Sequence, residues 1–378
     1  MLKKNFLLSP GPSKVPESVM LQMAQPIFHH RTPQYQAIFK EVTDNLKYLF
    51  QTENDVFVYS ASGTGALQAS MTSFLSPGDK VISVNGGKFG QRFGLIGTAF
   101  GIDCDVIDIE WGTAVDPKVI EKKLQDDPSI KAVYTTLCET STGVLTDLKA
   151  IGEIVSKYDA ILVCDAVSGL GADVMKTDEW KVDVVACGSQ KGLMLPPGLA
   201  FMSVSAKAYG LAEKSTLPSF YFDLARYKKS LDKNDVPWTP AISLVVGLQH
   251  VLRMIKDEGI ENVWQRHARL ACSTRAAMNA LGLDLLAKSP SNAVTSVILP
   301  ESVDGKEFVK RLRDDLGVTL AGGQEHLKGK IFRIAHMGYC NQYDMIIGIA
   351  AVEEALKLGG YSFESGAGAQ AFQRDWLS

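Results

Sequence analysis

Apolar and polar residues alternate along the chain in two rhythms. From Gln34 to Phe50 the apolar positions Phe39, Val42, Leu46 and Leu49 recur at helical spacing. Short, β-branched runs at Val56–Tyr59, Lys80–Val84, Asp103–Ile109, Ala132–Thr136, Ile161–Cys164, Val182–Cys187 and Ala200–Val204 read as strands. Helical patterns fill most of the gaps, at Ala66–Leu75, Gln91–Ala99, Pro117–Gln125 and Leu148–Lys157. This alternation predicts an α/β fold, a mostly parallel sheet covered by helices on both faces. Ligands of such sheets sit beyond the carboxyl ends of the strands. Thr140, Asp165 and Lys191 all fall at such ends.

The rhythm changes after Pro240. Two strongly periodic helices, Ile242–Asp257 and Ile260–Leu281, come first. Short strands at Thr295–Leu299 and Lys330–Ala335 then alternate with helices at Gly305–Leu316 and Tyr343–Leu358. The pattern predicts a smaller C-terminal α/β domain with an antiparallel sheet. Three units follow: an arm over 1–15, a large domain over 16–258 and a small domain over 259–378. The arm contains LLSPGPSKVP, too rich in Pro and Gly for a helix. The final SFESGAGAQAFQRDWLS carries little pattern and reads as a loose tail.

Composition narrows the picture modestly. The 378 residues are 46% hydrophobic and 21% charged, enough for one large domain and a smaller one. A net charge of −3 gives no reason to expect a nucleic-acid partner. No apolar run reaches membrane-spanning length, and no secretory signal follows Lys3-Lys4. Cysteines 104, 138, 164, 187, 272 and 340 form no C-x-x-C pair and read as reduced thiols of a cytoplasmic protein. The six histidines show no metal-binding spacing, so no metal is expected.

The chemistry concentrates between Ile161 and Gly198. Two apolar runs there end in Asp165 and Lys191, 191 − 165 = 26 residues apart, about one strand–crossover–strand unit. An amine and a carboxylate past neighbouring strand ends suit pyridoxal 5′-phosphate (PLP). The lysine holds the cofactor aldehyde as a Schiff base, and the aspartate protonates the pyridine nitrogen. An apolar setting lowers a lysine's pKa and frees its amine to attack aldehydes. Taken alone, Lys191 reads better as a surface loop lysine, and Asp165 equally well as a helix cap. Ser60–Gly65, SASGTG, follows a strand and opens a helix, which makes a phosphate cup or simply a Gly-rich turn. Phe89 would stack on a pyridine face or pack in a core. Arg333, in the apolar strand IFRIAHMG, would meet a substrate carboxylate with its planar fork or form a structural ion pair.

Together these residues resemble a family. The motifs SGT (62–64), KFGQR (88–92), ETSTG (139–143), DAVSGLG (165–171) and GSQKGLMLPPGLAF (188–201) are similar to those of fold-type I PLP enzymes. The group they resemble is the class V aminotransferases of the alanine–glyoxylate and serine–pyruvate kind. The resemblance covers almost the whole chain and implies roles by position. Lys191 would carry the cofactor and shuttle the proton, and Asp165 would pair with the pyridine nitrogen. Phe89 stands where the family keeps a ring-stacking aromatic, often Trp, with Val167 on the opposite face. Thr140 would bond the ring's 3-oxygen. Ser62, Gly63, Thr64 and Gln190 would hold the phosphate, and Arg333 the substrate carboxylate. Thr239 resembles a threonine that reaches the phosphate in the other subunit of a homodimer. Relatives often carry a tyrosine just before that threonine; here the residues are Asp235, Val236, Pro237 and Trp238. The HHRT segment (29–32), with His30 as a candidate substrate contact, would shape the pocket or serve as a polar dimer contact.

The implied reaction is transfer of an amino group from alanine or serine to a 2-oxo acid such as glyoxylate or pyruvate. One evident cationic anchor favours small neutral donors, unless Arg31 or Arg92 enters the pocket. Three alternatives stay open. One is an aspartate or broad-specificity aminotransferase. Another is a class V lyase or cysteine desulfurase, for which Cys340 is the nearby thiol. The last is a non-catalytic subunit on the same fold.

Overall fold

The computed structural model describes residues 4–378. Seven strands form its central sheet: β1 Asp55–Tyr59, β2 Lys80–Asn85, β3 Asp103–Asp108, β4 Ala132–Thr136, β5 Ile161–Asp165, β6 Val184–Gly188 and β7 Ala200–Val204. Their spatial order is β1-β7-β6-β5-β4-β2-β3. Every pair from β6 to β3 is parallel, and only β7 runs against its neighbours β1 and β6. The expected mostly parallel sheet is therefore present. Its side chains alternate between two cores, as the two-residue period of a strand requires. On β5, Leu162 and Cys164 join one core while Ile161 and Val163 join the other. Both faces are apolar because both are covered.

Helices α1 Pro33–Phe50, α2 Gly63–Thr72 and α3 Gly90–Ala99 position much of the site. Helix α1 starts on a Thr32 cap with Pro33 at its first turn, which satisfies an otherwise orphaned amide. Asp165 and Lys191 do follow parallel neighbours, since Val163 of β5 pairs with Val184 of β6. The connection between them contains no helix, however; residues 166–183 form a series of turns. Buried Asp173 fixes these turns by accepting from Ser291 Oγ and the Asn292 amide.

Helices α4 Ile242–Glu258 and α5 Ile260–Ala280 lead to the C-terminal part. There β8 Val294–Ile298, β9 Ala321–Gly322 and β10 Ile331–Ala335 form an antiparallel sheet in the order β8-β10-β9. Helices α6 Gly305–Asp314 and α7 Gln342–Leu358 accompany it, and a third core unites them.

One expectation about the ends needs correction. The last residues are not a loose tail: Ala367–Leu377 is a helix, α8. Its Phe372 is fully buried, its Trp376 lies under the Arg269 guanidinium, and Glu353 accepts from the Gly366 and Ala369 amides at its start. Burying a phenylalanine side chain contributes about 1.5–3 kcal/mol, enough to hold so short a helix. The described residues of the N-terminal arm are extended, as expected, and are tied to the C-terminal part. Phe6 and Leu7 pair in parallel with Val318 and Thr319, and Leu8 is buried in the third core. This pairing carries the next residues, Pro10–Ser13, across Lys191.

Candidate active site

Strand ends supply the centre of the site. Asp165 is the last residue of β5 and 5% exposed. Its Oδ1 accepts from the Val167 amide at 2.8 Å, and Oδ2 accepts no hydrogen bond from the described residues. Burial raises its pKa to about 6, against the pull of the Val167 amide. Lys191 lies three residues beyond β6 and is 8% exposed. Burial lowers its amine to about 8, with Arg333 and Arg92 adding repulsion and Asp165 opposing it. Nζ donates to the Pro10 carbonyl. Gly11 has φ +117°, and a Cβ there would fall on the Lys191 side chain, so the arm's approach requires glycine.

Arg333 projects from β10 and is 5% exposed. Nε and Nη2 donate to the Gly322 carbonyl at 3.0 and 2.8 Å, and Nη1 donates to the Thr140 carbonyl at 2.9 Å. Burial lowers its pKa to about 10, which leaves it charged near neutral pH. A guanidinium has five N–H groups in a fixed fork, so these bonds leave one N–H on each terminal nitrogen for an oxyanion. Thr140 is buried, and its hydroxyl meets that of Ser168. A single segment thus touches both the Asp165 loop and the arginine.

At the opposite side, α2 begins at Gly63, directly after β1 and the turn at Ser60–Ser62. A Cβ at Gly63 would lie 2.9 Å from Val167 Cγ2, so only a glycine lets the helix start rest on that valine. The first amides of the helix have no partner within it. Ser62 and Thr64 are exposed beside them, and Arg92 donates to Thr64 Oγ1 at 3.0 Å. Gln190 Oε1 is buried without a partner, and a Cβ on Gly188 would sit 2.9 Å from it and 3.3 Å from the Gly63 Cα. A half-turn of that amide presents N–H donors in place of the oxygen. Phe89, half-buried, precedes α3 and lies 4.9 Å beneath the Arg92 guanidinium.

This donor set fits PLP. The cup of helix-start amides and hydroxyls suits a phosphate, Asp165 Oδ2 is free to meet a pyridine N–H, and the buried amine suits an aldehyde.

Two expected contacts do not join this cluster within one chain. Thr239 is exposed and lies with Ser60, Tyr221 and Trp238 around a small crevice. His30 stacks on His29 at 4.8 Å and meets the edge of Tyr35. Its neighbour Arg31 ion-pairs with Asp235 and donates to the Val236 carbonyl at 2.9 Å. The HHRT segment and the 235–239 loop therefore form one patch of their own. Of the two arginines that bore on donor size, Arg31 stays in this patch and Arg92 sits over Phe89. Cys340 is 9% exposed, and burial pushes its thiol up to about 12, unlike the low-pKa, accessible thiols that react readily.

One buried group escaped sequence reasoning. Glu139 is 2% exposed and accepts from the amides of Phe89, Gly90 and Ser141. The available signal was a carboxylate inside the otherwise uncharged LCETSTG.

Among the described residues, no three His, Cys, Asp or Glu side chains group as metal ligands, and no helix is long and apolar enough to cross a membrane.

Fold and site together define an α/β transferase with a buried amine just past the strand ends. The aminotransferase class-V family model matches residues 5–340, and the chain belongs to that family. It is 44% identical to a protein called the soluble hydrogenase 42 kDa subunit of Anabaena cylindrica, over 98% of both chains. It is 36% identical to the serine–glyoxylate aminotransferase of Methylorubrum extorquens, over 97% of this chain and 95% of that one. The crystal structure of ureidoglycine–glyoxylate aminotransferase from Bacillus subtilis superimposes with a TM-score of 0.95 at 29% identity, over 100% of this chain and 99% of the other.

Proposed function

We propose that the protein is a PLP-dependent transaminase that moves the amino group of serine or alanine to glyoxylate or a similar small 2-oxo acid. The observation that carries this reading is the buried trio of Lys191, Asp165 and Arg333. PLP, when bound, supplies an aldehyde to carry the amino group and a conjugated ring to accept the electrons left by a departing α-proton. Asp165 Oδ2 would hold a proton on the ring nitrogen, and Val167 and Phe89 would enclose the ring faces. The amides at the start of α2, with Ser62, Thr64 and Gln190, would hold the phosphate. Thr140 would reach the ring's 3-oxygen.

Lys191 has two tasks in this reading. Its Nζ anchors the cofactor and then, once displaced, moves the substrate's α-proton. A pKa of about 8 suits a base working near neutral pH. Arg333 would orient the substrate through the two N–H groups its carbonyl partners leave free. The acceptor rests on two relatives named for glyoxylate. The donor rests on Arg333 as the carboxylate anchor, Arg92 being engaged with Thr64 and Phe89, and on the serine–glyoxylate relative. The intact trio supports an enzyme rather than the non-catalytic part that a hydrogenase-subunit name suggests. The exposed Thr239 patch supports a homodimer in which each chain completes the other's phosphate site. Six free cysteines suit a reducing cytoplasm.

A half-reaction screen tests the donor. The PLP form is mixed with each amino acid, and loss of the cofactor's visible absorbance is followed. Rapid conversion by serine or alanine is expected. Conversion by aspartate alone would replace the proposed donor.

A further inference from the structure

We propose that Glu139 is a positioning residue that sets the cofactor-stacking ring of Phe89. The inference rests on the PLP reading above. Glu139 Oε2 accepts from the Gly90 amide at 2.8 Å and the Phe89 amide at 3.1 Å. Its Oε1 accepts from the Ser141 amide at 3.0 Å and from the Ser141 hydroxyl. The carboxylate is buried, yet no lysine or arginine pairs with it directly among the described residues. A buried carboxylate without an ion pair is tolerable only where several donors converge on it. Here they do, two of them at the positive end of the α3 dipole.

Capping α3 is not a sufficient explanation. A serine or aspartate at position 89 would cap it locally and at less desolvation cost. Instead, position 89 holds an aromatic ring, and the cap comes from a segment about fifty residues on. Gly87 makes room for it: a Cβ there would lie 2.5 Å from Glu139 Cδ and 2.3 Å from Ser141 Oγ. The turn carrying Phe89 is thus pressed onto this carboxylate. The residue after Glu139 is Thr140, which meets Ser168 by its hydroxyl and Arg333 by its carbonyl. Glu139 therefore references the Phe89 backbone to the segment that also touches the Asp165 loop and the substrate arginine. Arg92, bonded to Thr64, lies over the ring itself.

Glu139→Gln replaces one acceptor oxygen with an N–H2 group. Whichever way the amide turns, one set of N–H donors then faces another donor. If Glu139 acts through Phe89, its effect must vanish when the ring is absent. The test is a double-mutant cycle on PLP affinity, read by fluorescence titration of the apoprotein rather than by activity. Glu139→Gln should weaken PLP binding about 10-fold with Phe89 present and less than about 2-fold in Phe89→Ala, a coupling in the range seen for contacting residues. Ser141→Ala, which leaves the carboxylate but removes one of its donors along with the acceptor of the Lys88 amide, should show the same dependence at about 3-fold and serves if Glu139→Gln does not fold. Equal effects in both backgrounds, or a lower melting temperature with unchanged PLP affinity, would reduce Glu139 to a structural cap and overturn the inference. If the unmutated protein takes up no PLP, the inference falls together with the PLP reading. If it binds PLP and the effects add, only the inference falls.

Discussion

Two regions of this molecule were expected to serve one site, and the chain builds them differently. Lys191, Asp165 and Arg333 come from three places in the chain, yet all are buried and each is held by hydrogen bonds, to Pro10, Val167 and Thr140 among others. The patch of His30, Arg31 and Thr239 is exposed or half-buried, made of loops, and closed on itself by the Arg31–Asp235 pair. The difference is between groups that one chain buries by itself and contacts that, in the proposed homodimer, would need a second copy. Buried groups are fixed by the sheet, because strand register leaves them no freedom. Surface loops are fixed by whatever they meet, and here a partner would be what they meet.

The largest effect should come from the centre of the first region. Lys191→Ala should lower transamination by about four orders of magnitude, since in the proposed reading it removes both the anchor and the proton carrier. Borohydride treatment followed by mass measurement should find PLP fixed to the unmutated chain and not to the variant. Fixed PLP on another lysine would break the assignment.

Asp165→Asn should come next, with rate and stability moving in opposite directions. A carboxylate raised from 3.8 to about 6 keeps its proton longer in the folded state than in the unfolded one. Its stabilising contribution is therefore greatest below pH 4 and is lost as pH rises from about 4 to about 6. At pH 7 the apoprotein carries the whole cost, at most about 3 kcal/mol for a shift of this size. Asparagine removes that cost. The variant's apoprotein should melt several degrees higher at pH 7, and the gain should disappear at pH 4. Its turnover should fall by about 10² or more as the ring nitrogen loses its counter-charge. A variant no more stable at neutral pH would show that the carboxylate is better solvated than its burial implies.

Arg333→Gln tests the third member. Losing a bidentate, charge-assisted pair costs about 2–3 kcal/mol, or roughly 10² in affinity. The loss should appear in KM for the donor, with kcat less affected. A change confined to kcat would move Arg333 out of substrate binding.

What could be read in advance follows the same division. The strands and most helices were legible because period-2 and period-3.6 patterns survive wherever a face is buried. Asp165 and Lys191 stood out as single polar residues ending apolar runs. The helix Ala367–Leu377 was missed because its apolar stripe is short, with Phe372 and Trp376 the only large rings in SFESGAGAQAFQRDWLS beyond its opening Phe363. Its anchor, Glu353, lies in another helix. The arm's pairing with Val318–Thr319 was invisible for a related reason: a two-residue parallel bridge leaves no periodicity. Glu139 was hidden because its partners are backbone amides, which every sequence has.

The smallest effect concerns the second region and decides whether it acts across subunits. Thr239→Ala should weaken PLP binding only about 5–10-fold, the size of one ordinary hydrogen bond. The size alone says little, because a threonine acting within its own chain would give the same number. Mixing separates the cases. A hybrid dimer of one Lys191→Ala chain and one Thr239→Ala chain has a single site with a working lysine. If Thr239 reaches across, that site takes its threonine from the Lys191→Ala chain and is intact, so the working site regains the PLP affinity of the unmutated protein. If Thr239 serves its own chain, the same site keeps the alanine and the weakness persists. The expected result is recovery, measured as borohydride-fixed PLP against PLP concentration in the mixed dimer. Persistence of the weaker affinity in a verified hybrid would return the exposed patch to an ordinary surface.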